Sequence, residues 1–246
     1  MVFNLPHMIF GFAVSAPALP APIIATSLPE IASPTMRSRM GAALVELLYG
    51  SPENAQMHAL LAAPPERITA YILTQDVEKQ NRVDELKTWA ENAIYDWNRK
   101  NSTAQIEIVS REQDADIVIE FKDRALYRGR HVAGYARWSR TTDGYSPHVN
   151  GVVHVSNKLP NGRLMNEEQV RHALGHELGH IFGLDDHYSS RSLMGKVSTA
   201  GNGQWLSDTE VKAISDMQER ANMIISASNR PQIVGNTEVP KVFKFK

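Results

Sequence analysis

The stretch HELGHIFGLDDH, residues 176–187, decides how the rest of the chain is read. On a helix, His176 and His180 stand one turn apart, so both imidazoles leave the same face and can share one Zn2+ at about 2.0–2.1 Å. Glu177 lies one step round the helix from the first histidine. From there it reaches a zinc-activated water without ligating the metal, which is the position of a general base. Gly183 falls where the chain must leave the helix through a residue of positive φ, and the turn beyond it can bring a third ligand back. Asp186 and His187 are the candidates for that ligand. Neighbours in an extended turn point to opposite sides, so only one of them binds. Ser192-Leu193-Met194-Gly195 then supplies a methionine in a turn shortly after the ligands.

The surroundings are those of an α/β domain. Asn166 is the expected N-cap of the motif helix, with Glu167 and Glu168 in its first turn to complement the helix dipole. RITAYILTQD (67–76), QIEIVS (105–110), ADIVIEF (115–121) and VNGVVHVS (149–156) are short β-rich runs bounded by turn residues. They predict a small sheet of about four or five strands. Between the first two, Val83, Leu86, Ala90, Ala93, Ile94 and Trp97 recur at three- and four-residue steps, the stripe of a long amphipathic helix that backs the sheet. A last helix is expected from Ser207, where Glu210 completes a capping box and Val211, Ile214, Met217 and Ala221 form the buried stripe.

With these residues in place, His176–Met194 resembles the metzincin clan, whose signature H-E-x-x-H-x-x-G-x-x-H or -D is followed by a Met-turn. ADIVIEF and LSDTEVKAI are similar to a sheet strand and the last helix of matrixins, so the resemblance spans roughly 67–228. It implies an α+β zincin fold, a mixed twisted sheet with backing and active-site helices, and one catalytic Zn2+. It also implies an endopeptidase that hydrolyses protein or peptide substrates, with Met194 as a hydrophobic floor beneath the metal. Where the matrixin pattern has a third histidine, this chain has Asp186. G-L-D-D-H-Y-S is similar to snapalysin, whose third ligand is an aspartate, and this resemblance favours Asp186 over His187. Asp185 is then a solvated or supporting acid.

The same resemblance offers Tyr188 as a hydrogen-bond donor to the oxyanion; the other reading is an aromatic packed beneath the Met-turn. His148, His154 and Asp143 stand where matrixins carry an additional structural Ca2+ or Zn2+, but their spacing differs, and solvent-facing or hydrogen-bonded histidines are the expectation. His172, one turn before His176, is expected to support it or to face solvent. A solvated surface is expected for Arg128, Arg130, Arg137 and Arg140, with a patch for acidic substrates as the sharper reading. The resemblance also implies an S1′ wall formed by the segment after Met194, toward Leu206.

The chain has 246 residues, 26 Lys and Arg against 27 Asp and Glu, and no cysteine. That length suits one domain of about 150–170 residues with extensions, or two small domains. Balanced charge gives no footprint for nucleic acid. Lack of cysteine excludes disulfides, thiolate metal sites and cysteine nucleophiles. The expected division is a leader over 1–66, a catalytic domain over 67–228 and a tail over 229–246. Met8–Val14 with Ala16 and Ala18 resembles a secretory signal lacking its positive n-region, and the alternative is a Pro-rich unstructured leader from Pro17 to Pro34. Two short helices within 38–63 would form a pro-segment, with Glu53, another carboxylate or simple steric cover blocking the metal, or else a plain extension. The expectations are a secreted monomer without membrane insertion. Two other readings stay open: a catalytically idle zincin fold that binds proteins, and an effector or toxin protease specific for one host protein.

Overall fold

The computed structural model describes residues 28–77, 79–189, 191–197, 203–229, 233–234 and 237–238. A five-stranded twisted sheet runs in the order β2-β1-β3-β7-β6, built from β1 (Arg67–Leu73), β2 (Gln105–Ile108), β3 (Ile117–Lys122), β6 (Gly134–Thr142) and β7 (Pro147–Ser156). Four strands are parallel, and β6 pairs antiparallel with β7 at one edge. A small hairpin, β4 (Ala125–Tyr127) and β5 (Arg130–Val132), turns through Arg128 and Gly129, both at positive φ. The α/β expectation and the strand number hold.

Burial follows the sequence pattern. Strand β3 alternates, sending Ile117, Ile119 and Phe121 into the core. The long helix, α3 (Gln80–Lys100), buries the six stripe residues Val83 to Trp97 against it. Full burial of one such side chain contributes about 1.5–3 kcal/mol. Trp97 stacks on Phe182 with ring centroids 5.0 Å apart, which joins α3 to the end of the motif helix, α4 (Glu167–Ile181). Capping boxes start both α4, at Asn166 and Gln169, and the last helix, α5 (Asp208–Ser228), at Ser207 and Glu210.

Two expectations change. The stretch holding Arg128, Arg130, Arg137 and Arg140 is expected to be a solvated surface, but its second half, with Arg137 and Arg140, lies in the edge strand β6. Arg140 on that strand is buried, because its guanidinium donates to Ile181 O at 2.6 Å and lies over Trp138. The N-terminal helices, α1 (Pro34–Tyr49) and α2 (Pro52–Ala62), do form. They do not stand apart as a leader, however: Leu28, Ala32, Met36, Met40, Ala43, Ala55 and Ala59 share one hydrophobic core with the sheet and α5. The unstructured reading fails for residues 28–34, while the signal-like run before Leu28 and the segment 239–246 lie outside the described residues. Among the described residues no helix is long and apolar enough to cross a membrane.

Candidate active site

Helix α4 carries His176, Glu177 and His180 and ends at Ile181, with Phe182 as its C-cap. Gly183 follows at φ 95°, as required for the chain to leave the helix and fold back. The return is fixed by backbone bonds from Leu184 N–H to Gly179 O at 2.9 Å and from His187 N–H to Met194 O at 2.8 Å. It brings Asp186 Oδ1 to 3.1 Å from His176 Nε2 and 3.6 Å from His180 Nε2. Among the described residues these three side chains form the one cluster suited to hold a metal, their ligand atoms all within 4.8 Å of one another.

The imidazoles are aimed by their other nitrogens. His176 Nδ1–H donates to Leu193 O at 3.1 Å, and His180 Nδ1–H donates to Leu184 O at 3.0 Å. Each bond sets the tautomer that leaves the Nε2 lone pair facing the cluster. Two imidazole nitrogens and one carboxylate oxygen are a fitting donor set for zinc, with room for water and substrate as further ligands. The cluster also favours positive charge at its centre. Burial opposes charging of His180, but Asp186, Glu177 and the Leu184 carbonyl outweigh it and raise the imidazole pKa above the ordinary range. Hydrogen bonds from His176 and His180 hold the Asp186 carboxyl well below the usual carboxylate range.

His187 is not part of this cluster; its Nδ1 accepts from the Ser189 backbone N–H at 3.1 Å. Glu177 is buried beside this cluster. Its side chain lies against Gly134 on β6, where a Cβ would come within 3.0 Å of Glu177 Cγ, and the Ala136 backbone amide nearby favours the ionised carboxylate. Burial pushes the Glu177 carboxyl up from its ordinary value, while His176 and His180 pull it down by a smaller amount.

Met194 is buried beneath α4, and a Cβ at Gly179 would collide with its sulfur. The small residue inside the motif therefore makes space for the methionine directly under the histidines. Tyr188 projects fully into solvent, which overturns the packed reading. His148 pairs with Asp143 at 3.1 Å and His154 with Glu120 at 2.8 Å, so the three residues considered for a structural ion are not gathered around one. His172 is fully buried, and its Nε2–H donates to Leu193 O at 2.9 Å, the same carbonyl that orients His176.

One contributor escaped the sequence reading. Glu210 is read there only as a cap, yet its fully buried carboxylate also accepts from Ser192 Oγ at 2.6 Å and from the Met194 backbone N–H at 3.0 Å. A carboxylate at N3 of a helix gives no sign of a second set of partners in a distant turn. The expected S1′ wall lies partly in 198–202, outside the described residues.

No curated protein matches the chain. Among solved structures, archaemetzincin from Methanopyrus kandleri aligns over 63% of this chain and 97% of its own, at 15% identity and a TM-score of 0.44. The family model described as Matrixin matches residues 64–218. Because that match takes in the five-stranded sheet, the helix bearing His176 and His180, the Gly183 return and the Met194 turn, the chain belongs to the matrixin family and has a zinc metallopeptidase fold.

Proposed function

We propose that this protein is a zinc-dependent endopeptidase, with His176, His180 and Asp186 as metal ligands and Glu177 as general base. The convergence of the two Nε2 atoms and Asp186 Oδ1 within 4.8 Å, beside a buried glutamate, carries this reading. Asp186 is preferred to His187 because its carboxylate lies between the two histidines. Zinc held there would polarise the scissile carbonyl and lower the pKa of a water to about 7.

The chain's own groups would do the rest. Glu177, whose raised pKa suits a group that takes and returns a proton, accepts one from the attacking water and delivers it to the departing amine. The ladder bond from Ser156 N–H to Ala133 O fixes which groups of β6 point inward, so Gly134, Ala136 and Trp138 turn their N–H and C=O toward the free edge. A peptide substrate can add there as a further strand, which brings its backbone past Glu177. Tyr188, exposed two residues from Asp186, would swing toward an oxyanion in this reading. Protein or peptide substrates, secretion and a monomeric state belong to this proposal.

The test is digestion of casein by the wild type, with and without a chelator, beside Glu177→Gln. Loss of cleavage with chelator, its return with zinc, and a fall of at least about a hundredfold in the variant are expected. Chelator-insensitive cleavage, or full activity in Glu177→Gln, would sink the mechanism. A variant that binds zinc normally beside an equally inert wild type would favour the idle protein-binding alternative.

A further inference from the structure

Residues Leu28–Ser33, LPEIAS, have the composition of a linker, yet they are tied to the turn that presents Asp186. Ala32 forms an antiparallel bridge with Leu184. Ser33 N–H donates to Gly183 O, and Asp185 N–H donates to Ile31 O, each at 2.8 Å. Ala32 and Leu184 are both fully buried. In the first turn of α1, Met36 packs on Gly183, where a Cβ would come within 3.0 Å of Met36 Cγ.

Residues Gly183–Asp185 are thus held from two sides. Helix α4 holds one, through Gly179 O and the His180 imidazole on Leu184. The segment Ile31–Ser33 holds the other. Asp186 comes next, and its side chain is 78% exposed, so surrounding packing does little to fix it. The position of its carboxylate is inherited from the backbone before it. An exposed ligand placed by a turn needs that turn rigid, because a metal site tolerates only about 0.5 Å of misplacement.

We propose that Ile31–Ser33 is a permanent strut that positions Asp186 in the metal site, so that the catalytic unit includes Leu28–Ala63 and these residues are retained in the active enzyme. The inference rests on the reading of Asp186 as a zinc ligand. It also explains why α1 and α2 share the domain core in place of standing off as a removable cover.

Zinc affinity of the full chain, measured by competition with a chromophoric chelator, tests it without recourse to activity. Ser33 has φ −59° and ψ 149°, the backbone of a proline residue, so Ser33→Pro keeps the local chain path, removes the amide donor and the Ser33 cap, and sets the ring Cδ against Gly183 O in place of the hydrogen bond. Ser33→Ala deletes the cap alone. Affinity should fall tenfold or more in Ser33→Pro, stay within twofold in Ser33→Ala, and change less than twofold when Ser33→Pro is added to Asp186→Ala.

Unchanged affinity in Ser33→Pro overturns the strut, and so does an equal loss in both backgrounds, which would mark a merely structural role. If Asp186→Ala binds zinc as the wild type does, the ligand assignment fails first and the strut with it. Should Ser33→Pro not fold, amide exchange in the unaltered metal-free protein decides. Protection of the Asp185 amide as strong as that of core α4 amides supports the strut, and exchange at the rate of an open loop overturns it.

Discussion

The Met194 backbone N–H donates to Glu210 Oε1 at 3.0 Å, which ties the turn beneath the histidines to the first turn of α5. The other oxygen, Oε2, accepts from the Ser207 N–H and hydroxyl, both at 2.7 Å. A fully buried carboxylate with four donors has no orientation in which an amide can replace it, since the NH2 of glutamine would meet donors. Glu210→Gln should therefore destabilise the protein by about 2–4 kcal/mol, far above the usual loss of a cap. Urea titration of the metal-free protein measures this, and a loss below about 1 kcal/mol would show that the turn at Met194 does not depend on Glu210.

The same carbonyl that orients His176, Leu193 O, also receives the Nε2–H of His172. Burial pushes the His172 pKa below its ordinary 6.5. The folded protein then binds fewer protons than the unfolded chain below about pH 6.5, so stability is complete above that pH and falls as pH drops toward the folded value. One such group contributes a slope of at most about 1.4 kcal/mol per pH unit. His172→Gln keeps a donor for Leu193 O and cannot titrate. The difference in unfolding free energy between wild type and variant should shrink as pH is lowered from 7.5 to 5.5; a constant difference would contradict a buried neutral His172.

Most of the site was legible because its information is local. Spacing along one helix places His176, Glu177 and His180, and Gly183 announces the return. The stripe on α3 was legible for the same reason. What escaped depends on distant partners. Strand β6 reads as surface because YARWSRTT is polar and arginine-rich, and the groups that receive the buried Arg140, the carbonyls of Ile181 and Leu61, are on other elements. The bridge of Ala32 to Leu184 involves a single residue pair, which leaves no periodicity in LPEIAS. Asp186 was preferred to His187 from a family pattern, whereas the structure brings the carboxylate itself between the histidines.

Arg140 carries a prediction of its own. Its guanidinium donates to Ile181 O at 2.6 Å, one of the last carbonyls of α4, where a cation is favoured by the helix dipole. It also reaches Leu61 O near the end of α2 at 3.4 Å. Burial lowers its pKa to about 10, and it stays charged at neutral pH. Arg140→Met fills much of the same volume but strands the Ile181 carbonyl, and should cost about 1–3 kcal/mol. Thermal unfolding detects this; a variant as stable as the wild type would mean that solvent reaches that helix end.

Gly179 and Met194 offer a sharper case, because the expected sign is the reverse of the usual one. Replacing glycine by alanine inside a helix ordinarily gains about 1 kcal/mol. At Gly179 the added Cβ would collide with the Met194 sulfur, so Gly179→Ala should lose about 1–3 kcal/mol. Met194→Ala should lose about 2–4 kcal/mol by opening a cavity. In the double variant the methyl of residue 179 enters the space left by the methionine, so the combined loss should fall short of the sum by about 1 kcal/mol or more. If Gly179→Ala proves stabilising, or the two losses simply add, Met194 is not seated against the helix that carries the histidines.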